Sequence, residues 1–578
     1  MKRGGAKPSH TVINGENYHV LKALTWTHRG KVDAIYIDPP YNTGAKDWKY
    51  NNDYVEADDL YRHSKWLAFM ERRLLLAREL LNPADSVLIV TIDEKEYLRL
   101  GLLLEQAFPE AAIQMISSVI NPKGTGRSGD FARTNEFLFF ARLGTAKVSG
   151  RLDEDAVGTE VSWETMRRRN LASVRGRRGR GACGPNQFYP IFVDEKTGAI
   201  VGRGAPVSVD IPRESIKPPK GAVAVFPVRS DGTEMNWEYT DTAFDNWWPQ
   251  GLIRANGKKD EPQPYIIQHL PNKVRSEIAG GVAVIEGRRA DGSVIANYVD
   301  ATSKHVTTQW DFTSHSAEHG GTGVLKHVIP DRKFPFPKSL YAVEDALRFF
   351  VANKPNAIVL DFFAGSGTTA HAVMRLNKQD GGNRQCISVT NNEVGADEQK
   401  KLRDQGWRPG DPEWEQWGIC DYITKPRVQA SITGKTPEGE PIRGDYKFTD
   451  QFPMADGFAE NAEFFTLTYE SPIAVRHNAA FARIAPLLWL RAGSFGARID
   501  TLPEGGFAVV ESYGLLDDVD CATPFIKSVL QQPGLRVAYI VTDDDRRFQS
   551  IAQRLPQGVE AVRLYESYLT NFAFASGE

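Results

Sequence analysis

Short unbroken apolar runs that stop at an acid constrain this chain more than any other feature. VDAIYID (32–38) and SVLIVTID (86–93) each end on an aspartate, and AIVLDFF (357–363) passes through Asp361 into a glycine turn. Runs of this length without polar alternation are strands covered on both faces, the condition of a parallel sheet. The amphipathic segment WLAFMERRLLLARELL (66–81), stopped by Asn82-Pro83, lies between the first two runs, while KSLYAVEDALRFFVA (338–352) and TTAHAVMRL (368–376) flank the third. EKEYLRLGLLLEQAF (94–108) adds a helix, and AAIQMISSVI, NEFLFFAR and QCISVT (385–390) add strands. Strands and helices in alternation predict a doubly wound, mostly parallel α/β sheet.

At 578 residues the chain exceeds a single core. From about 150 to 325 the texture changes to arginine clusters, glycine-rich turns and short strands such as QFYPIFV, AVAVFPV and GVAVIEG. The sheet is therefore expected to be split. Residues 1–150 and 326–425 form its halves, 151–325 an inserted β-rich module, and 426–578 a C-terminal α/β domain in which RVAYIVTD and VEAVRLY bracket the helix DDRRFQSIAQRL. No apolar run is long enough to cross a bilayer, and the start MKRGGAKPSH lacks the apolar stretch of a secretion signal, so a cytoplasmic location without membrane contact is expected. Cys183, Cys386, Cys420 and Cys521 are scattered without CxxC pairing, which predicts neither disulfides nor a thiolate metal site. With a net charge of -3, any nucleic-acid surface must come from local clustering of basic residues.

Asp361-Phe362-Phe363-Ala364-Gly365-Ser366-Gly367-Thr368-Thr369 follows a strand and opens a helix, where glycines let a ligand approach the N–H groups of a helix N-terminus. It has neither the GxxxxGK[ST] spacing of a phosphate loop nor the GxGxxG of dinucleotide enzymes. Glu393, just past the next strand, is placed to accept hydrogen bonds from ribose hydroxyls. The combination suits an adenosine cofactor without a pyrophosphate.

Asp38-Pro39-Pro40-Tyr41-Asn42-Thr43-Gly44 also sits at the C-terminal end of a strand, the edge where open α/β sheets bind ligands. Its prolines fix the backbone and remove two N–H donors, leaving carbonyls free to accept. Asp38 and the Pro39 carbonyl suit an amino group as substrate, and Tyr41 offers an aromatic face on which an extruded base can stack.

DPPYNTG, DFFAGSGTT and FPFPKSL (334–340) together resemble the amino-methylating DNA methyltransferases. The order, with DPPY first and the glycine motif late, resembles their beta class, and above all the modification subunits of type III restriction-modification systems. The similarity runs over roughly residues 10–425, including NEFLFF (135–140) and PNQFYPIFVDEKTG (185–198). It implies a Rossmann-like class I methyltransferase fold with the inserted module as target-recognition domain. It implies S-adenosylmethionine as cofactor and adenine N6 in double-stranded DNA, flipped from the helix, as methyl acceptor. It further implies a homodimer and a restriction or phage-defence partner with helicase activity, for which the C-terminal domain is a candidate dock. Asp361, Phe362, Ala364, Gly365, Gly367, Thr368 and Thr369 would cradle the cofactor and Glu393 its ribose. Lys338, Ser339 and Leu340 would pack around it, Ser339 standing where proline is usual, and Glu16, where aspartate is usual, would lie near its adenine. Cytosine N4 methylation uses the same geometry, and DPPY rather than SPPY leans to adenine through the resemblance alone. A catalytically silent specificity subunit is the other alternative, against which stand the intact Asp38, Tyr41 and loop glycines.

Arg167, Arg168, Arg169, Arg175, Arg177, Arg178 and Arg180 form a basic cluster inside the inserted module. Phosphates would be its first partners, with guanine contacts from one or two members. Gly124-Thr125-Gly126-Arg127-Ser128-Gly129, preceded by Lys123 and containing Arg127, matches GxGxxG without a following helix and reads as a basic loop touching DNA. His315-Ser316-Ala317-Glu318-His319 matches HxxEH but runs straight into Gly320-Gly321, so no metal is assigned. Asp543-Asp544-Asp545 reads as a solvated turn or helix cap, and Trp237, Trp247 and Trp248 as packing residues.

Overall fold

In the computed structural model the described residues are 1–42, 61–127, 129–149, 151–153, 157–172, 185–208, 210–257, 263–300, 302–304, 306–448, 450–470 and 481–564. They form two compact units, Met1–Ser149 with Thr307–Glu578, and Gly150–Val306.

The first unit is built on a nine-stranded sheet. Before the insertion come β1 (Ser9–Asn14), α1 (Asn17–His28), β2 (Ala34–Ile37), α2 (Arg62–Leu80), β3 (Asp85–Ile92), α3 (Tyr97–Ala107), β4 (Ala112–Val119), the short β5 (Thr125–Arg127) and β6 (Asp130–Arg133), and β7 (Asn135–Gly144). After it come β8 (Gln309–Trp310), α4 (Leu340–Val351), β9 (Ile358–Asp361), α5 (Thr368–Asp380), β10 (Gln385–Thr390), α6 (Lys425–Thr433) and β11 (Asn461–Thr466). The spatial order is β8-β4-β7-β3-β2-β9-β10-β1-β11. All neighbours are parallel except β7, which runs antiparallel between β3 and β4.

The apolar strands are central because helices cover both faces. β2 is wholly buried, and β3 is buried from its second residue onward. α2 lays Trp66, Met70, Leu74, Ala77 and Leu80 along one stripe, the spacing of an amphipathic helix, and these join Ile35, Ile37, Leu88, Val90 and Leu360 in the main core. Winding proceeds outward from β2 through β3 in one direction and from β9 through β10 in the other. The switch point thus lies between β2 and β9, where such sheets open a crevice at the strands' C-terminal ends.

Two expected boundaries move. Residues 307–325, assigned to the insertion, belong to the first unit: β8 pairs with β4, and Gly320 and Gly321 pack so closely on Ser339 and Pro337 that neither position has room for a Cβ. The C-terminal domain does not begin at 426 either. α6 packs beneath the glycine loop, and β11 pairs with β1 along its whole length, from Ser9 opposite Asn461 to Asn14 opposite Thr466. Beyond the helix Phe481–Arg491 a four-stranded sheet follows, ordered Phe507–Val509, Tyr513–Leu516, Val537–Ile540 and Glu560–Arg563, the last three parallel. Trp26 of α1 enters its core beside Leu488, Trp489, Tyr513 and Tyr539. Asp544 caps the helix Asp545–Ala552 by accepting from the Arg546 and Arg547 N–H groups.

The second unit is made of short antiparallel pairs. Ile191–Asp194 lies between Ile200–Arg203 and Ala222–Val225, Ile253–Gly257 pairs with Tyr265–His269, and Ala283–Arg288 with Val294–Tyr298. Trp237 sits in its core with Tyr189, Ile191, Phe244 and Ile267 and donates to the Tyr189 carbonyl at 2.8 Å, while Trp247 and Trp248 pack against that core.

Candidate active site

β2 and β9 are parallel neighbours, with Ala34 opposite Val359 and Ile35 opposite Leu360, so the DPPY turn that follows β2 and the glycine loop that follows β9 leave the sheet at the same edge. The two motifs, more than 300 residues apart in sequence, meet there because the sheet is closed from both segments.

The DPPY turn is held on three sides. The Thr91 hydroxyl at the end of β3 donates to Asp38 Oδ1 at 2.6 Å, and the Trp66 indole donates to the Pro40 carbonyl at 2.7 Å. Pro39 is buried. Asn42 has a positive φ of 55° and is secured by its side chain, which donates to the buried Glu96 carboxylate at 2.5 Å, itself 2.5 Å from His63 Nδ1. Thr43 and Gly44 lie outside the described residues. The Tyr41 hydroxyl donates to Glu136 Oε2 at 3.1 Å. Burial, with Asp38 and Glu136 adding repulsion, raises the Tyr41 phenol well above its ordinary range and keeps it neutral.

The glycine loop is equally braced. Asp361 accepts from the Phe363 N–H at 3.0 Å and the Thr369 hydroxyl at 2.6 Å. Burial pushes its carboxyl up to about 7, with the charge of Asp38 contributing. Gly365 and Gly367 take φ of 47° and 78°, left-handed values that favour glycine, and Gly367 opens α5. Ala364 donates its N–H to the Val389 carbonyl at 3.1 Å. The Phe362 carbonyl accepts from Asn17 at 2.8 Å, whose amide oxygen accepts from Arg73 Nε at 2.6 Å. From below, Thr424 donates to the Gly365 carbonyl at 2.6 Å, and Arg427 to Ser366 Oγ at 2.9 Å and Thr368 Oγ1 at 2.8 Å. Burial lowers the Arg427 guanidinium to about 10. Glu393 stands half-buried just beyond β10, one strand from the loop. A glycine cradle, a helix N-terminus and an acid just past the neighbouring strand fit an adenosine-bearing cofactor.

The segment 334–340 reaches both motifs. A Cβ at Gly365 would stand 3.2 Å from the Phe334 ring, while the Lys338 ammonium lies 3.2 Å from Asp38 Oδ1, 2.5 Å from Glu136 Oε2 and 4.7 Å from the Tyr41 ring centre, and donates to the Tyr41 hydroxyl. Lys338, expected at the cofactor, thus meets the DPPY carboxylate. Ser339 is buried with its hydroxyl on the Ser314 carbonyl at 2.9 Å, and Leu340 is buried in the first turn of α4. Glu16 caps α1 through the His19 N–H and pairs with Arg73 at 2.5 Å.

The DNA-binding expectations fall elsewhere. Arg167, Arg168 and Arg169 lie in the strand Arg167–Ala172 of the second unit, where Arg168 pairs with Glu238 at 3.4 Å. Arg175, Arg177, Arg178 and Arg180 are outside the described residues. Lys123 is exposed near Glu318, and Arg127 belongs to β5 of a hairpin. His315 of the HxxEH match is buried against Asp345 at 3.1 Å.

Sequence reasoning passed over Asn17, Arg73, Thr91, Thr424, Arg427 and Glu136. The last left a clue: an acid near the start of the apolar run NEFLFF, at a position that the sheet buries.

Comparison with known proteins agrees with this geometry. The chain is 27% identical over 414 residues to the type III restriction-modification enzyme EcoPI Mod subunit of Escherichia phage P1, covering 66% of this chain and 57% of that one. It is 26% identical over 397 residues to the type II methyltransferase M.KpnI of Klebsiella pneumoniae, covering 66% of this chain and 81% of that one. The StyLTI Mod subunit of Salmonella typhimurium is 26% identical over 412 residues, 66% of this chain and 53% of that one, so this chain spans little more than half the length of these Mod subunits. A profile of the DNA methylase family matches residues 32–402, which include Asp38–Tyr41 and the whole glycine loop. Sharing that profile over most of its length and carrying both motifs on adjacent strands, the chain belongs to the N6/N4 DNA methylase family.

Proposed function

We propose that the protein transfers the methyl group of S-adenosylmethionine to N6 of an adenine flipped out of duplex DNA. The observation that carries this reading is the meeting of Asp38-Pro39-Pro40-Tyr41 with the glycine loop at the ends of two adjacent parallel strands. Bound S-adenosylmethionine supplies an electrophilic methyl group. Gly365, Gly367 and the start of α5 hold it, with Glu393 on the ribose. The amine lone pair is delocalised into the ring, and two acceptors at the N–H groups, the Asp38 carboxylate and the Pro39 carbonyl, turn it toward the methyl carbon. Tyr41 holds the base by stacking. Positioning and the field of Asp38 supply the catalysis, without proton removal before attack.

The unit Gly150–Val306 is proposed to read the DNA sequence, its arginines contacting phosphates first. The relatives named as Mod subunits of restriction-modification enzymes support a restriction partner for this chain. From the motif resemblance and the composition we further infer helicase activity in that partner, a homodimeric state and a cytoplasmic location, with the four-stranded C-terminal sheet as the docking domain. No helix among the described residues is long and apolar enough to cross a membrane. The test is nucleoside analysis of DNA after incubation with protein and S-adenosylmethionine. N6-methyladenine is expected, and N4-methylcytosine alone would reassign the base.

A further inference from the structure

The target amine must approach Asp38 beside the face of Tyr41, and the side chain that already holds this place is Lys338. Its ammonium is 3.2 Å from Asp38 and 4.7 Å from the Tyr41 ring centre. A lone ammonium here would work against the reaction. The nitrogen lone pair forms the N–C bond, the C–S bond breaks with its pair going to sulfur, and the nitrogen then sheds one proton to water. In the transition state positive charge develops on nitrogen, and an Asp38–Lys338 pair with no further charge offers it no net attraction.

Glu136 changes this balance. β7 runs antiparallel to β3, with Phe137 opposite Ile92, so the first residues of β7 return to the edge where β2 and β3 end. The Glu136 carboxylate, only 5% exposed, takes the Lys338 ammonium at 2.5 Å, closer than Asp38 does, and accepts the Tyr41 hydroxyl at 3.1 Å with the same oxygen. Two carboxylates then face one ammonium. Burial lowers the affinity of Lys338 for its proton, but the two acids more than offset it and the amine stays charged.

We propose that Glu136 is a positioning residue of the methyl-transfer site: it takes up the Lys338 ammonium, so that Asp38 keeps an unmatched negative charge for the cation developing on the target nitrogen. The inference rests on the reading of Asp38 as the acceptor of an amine. It predicts an interaction that a packing role does not. Removing the charge of Glu136 harms catalysis by handing Lys338 to Asp38, so removing Lys338 as well repairs the damage.

The experiment measures kcat at saturating tritiated S-adenosylmethionine on unmethylated genomic DNA for the full-length protein, E136Q, K338M and E136Q/K338M, with cofactor Kd and thermal midpoint for each. A unit charge about 5 Å away at an effective dielectric of about 20 changes a rate on the order of a hundredfold. E136Q is expected to lose about that much in kcat with cofactor Kd within about threefold of wild type, and the double variant to recover at least about tenfold of it. An E136Q protein of unchanged kcat, or a double variant no faster than E136Q, overturns the proposal. E136D, which keeps the charge, guards against misfolding of E136Q: it is expected to retain kcat within about tenfold, and a loss as deep as that of E136Q overturns the charge argument. If wild type transfers no label to DNA, the proposed function fails and this inference with it. An active enzyme whose variants behave additively sinks the inference alone.

Discussion

Replacing Asp361 by asparagine should change how stability depends on pH more than it changes the fold. Asp361 is buried at the end of β9, and burial lifts its carboxyl from 3.8 to about 7 despite donors from Thr369 and the Phe363 N–H. The folded carboxyl therefore holds its proton more tightly than the unfolded one. The stability it contributes is fully present below pH 3.8 and is lost as pH climbs through 7. A displacement of this size corresponds to on the order of 4 kcal/mol across the window, of which roughly 2–3 kcal/mol falls between pH 5 and 8. Asparagine keeps an acceptor for the Phe363 N–H and a donor for the Thr369 hydroxyl, so the loop geometry survives while the titration disappears. Denaturant unfolding followed by tryptophan fluorescence at pH 5, 6, 7 and 8 reads the slope directly. Wild type should lose stability relative to D361N as pH rises, by about 2–3 kcal/mol at pH 8. Parallel profiles for the two proteins would refute the argument that burial governs this carboxyl.

Tyr41→Ala should reduce kcat by more than about tenfold through loss of the stacking face, with Tyr41→Phe milder because it gives up only the hydroxyl bonded to Glu136 and Lys338; equal rates for all three proteins in methyl transfer would remove the stacking role. Asn17→Ala should weaken S-adenosylmethionine binding, since it frees the Phe362 carbonyl and strips Arg73 of a partner, at a cost of roughly 1–3 kcal/mol measurable by calorimetry. Trp26→Ala should destabilise the contact between α1 and the C-terminal sheet by about 3–5 kcal/mol, because Trp26 stacks on Tyr539 with ring centres 6.4 Å apart. Limited proteolysis should then release a C-terminal fragment that the wild-type chain retains.

The parts of the fold that were legible in the sequence are those whose physics is local. β2, β3 and β9 announce themselves as apolar runs because helices bury both faces, and the glycine loop because left-handed φ demands glycine at 365 and 367. β1 and β11 escaped notice because SHTVIN and NAEFFT carry polar residues into buried positions. His10, for instance, is buried beside Glu460 at 3.4 Å, a pairing invisible without the fold. The same reason kept the C-terminal boundary too early. Within the site, Asp38 and Tyr41 stand in a short motif that becomes legible once paired with the glycine loop, whereas Thr91, Glu136, Arg73 and Arg427 reach it from four separate elements. The resemblance placed Lys338 around the cofactor. In the fold, Phe334 stands over Gly365 of the glycine loop and Lys338 faces the DPPY carboxylate.

The most direct test of the central claim is mass-spectrometric nucleoside analysis of unmethylated genomic DNA treated with S-adenosylmethionine and either the wild-type protein or Asp38→Ala. The account predicts N6-methyladenine from the wild type and none from the variant, with cofactor affinity retained in both. Methylation that persists at undiminished rate without the Asp38 carboxylate, or that falls only on cytosine, would contradict it.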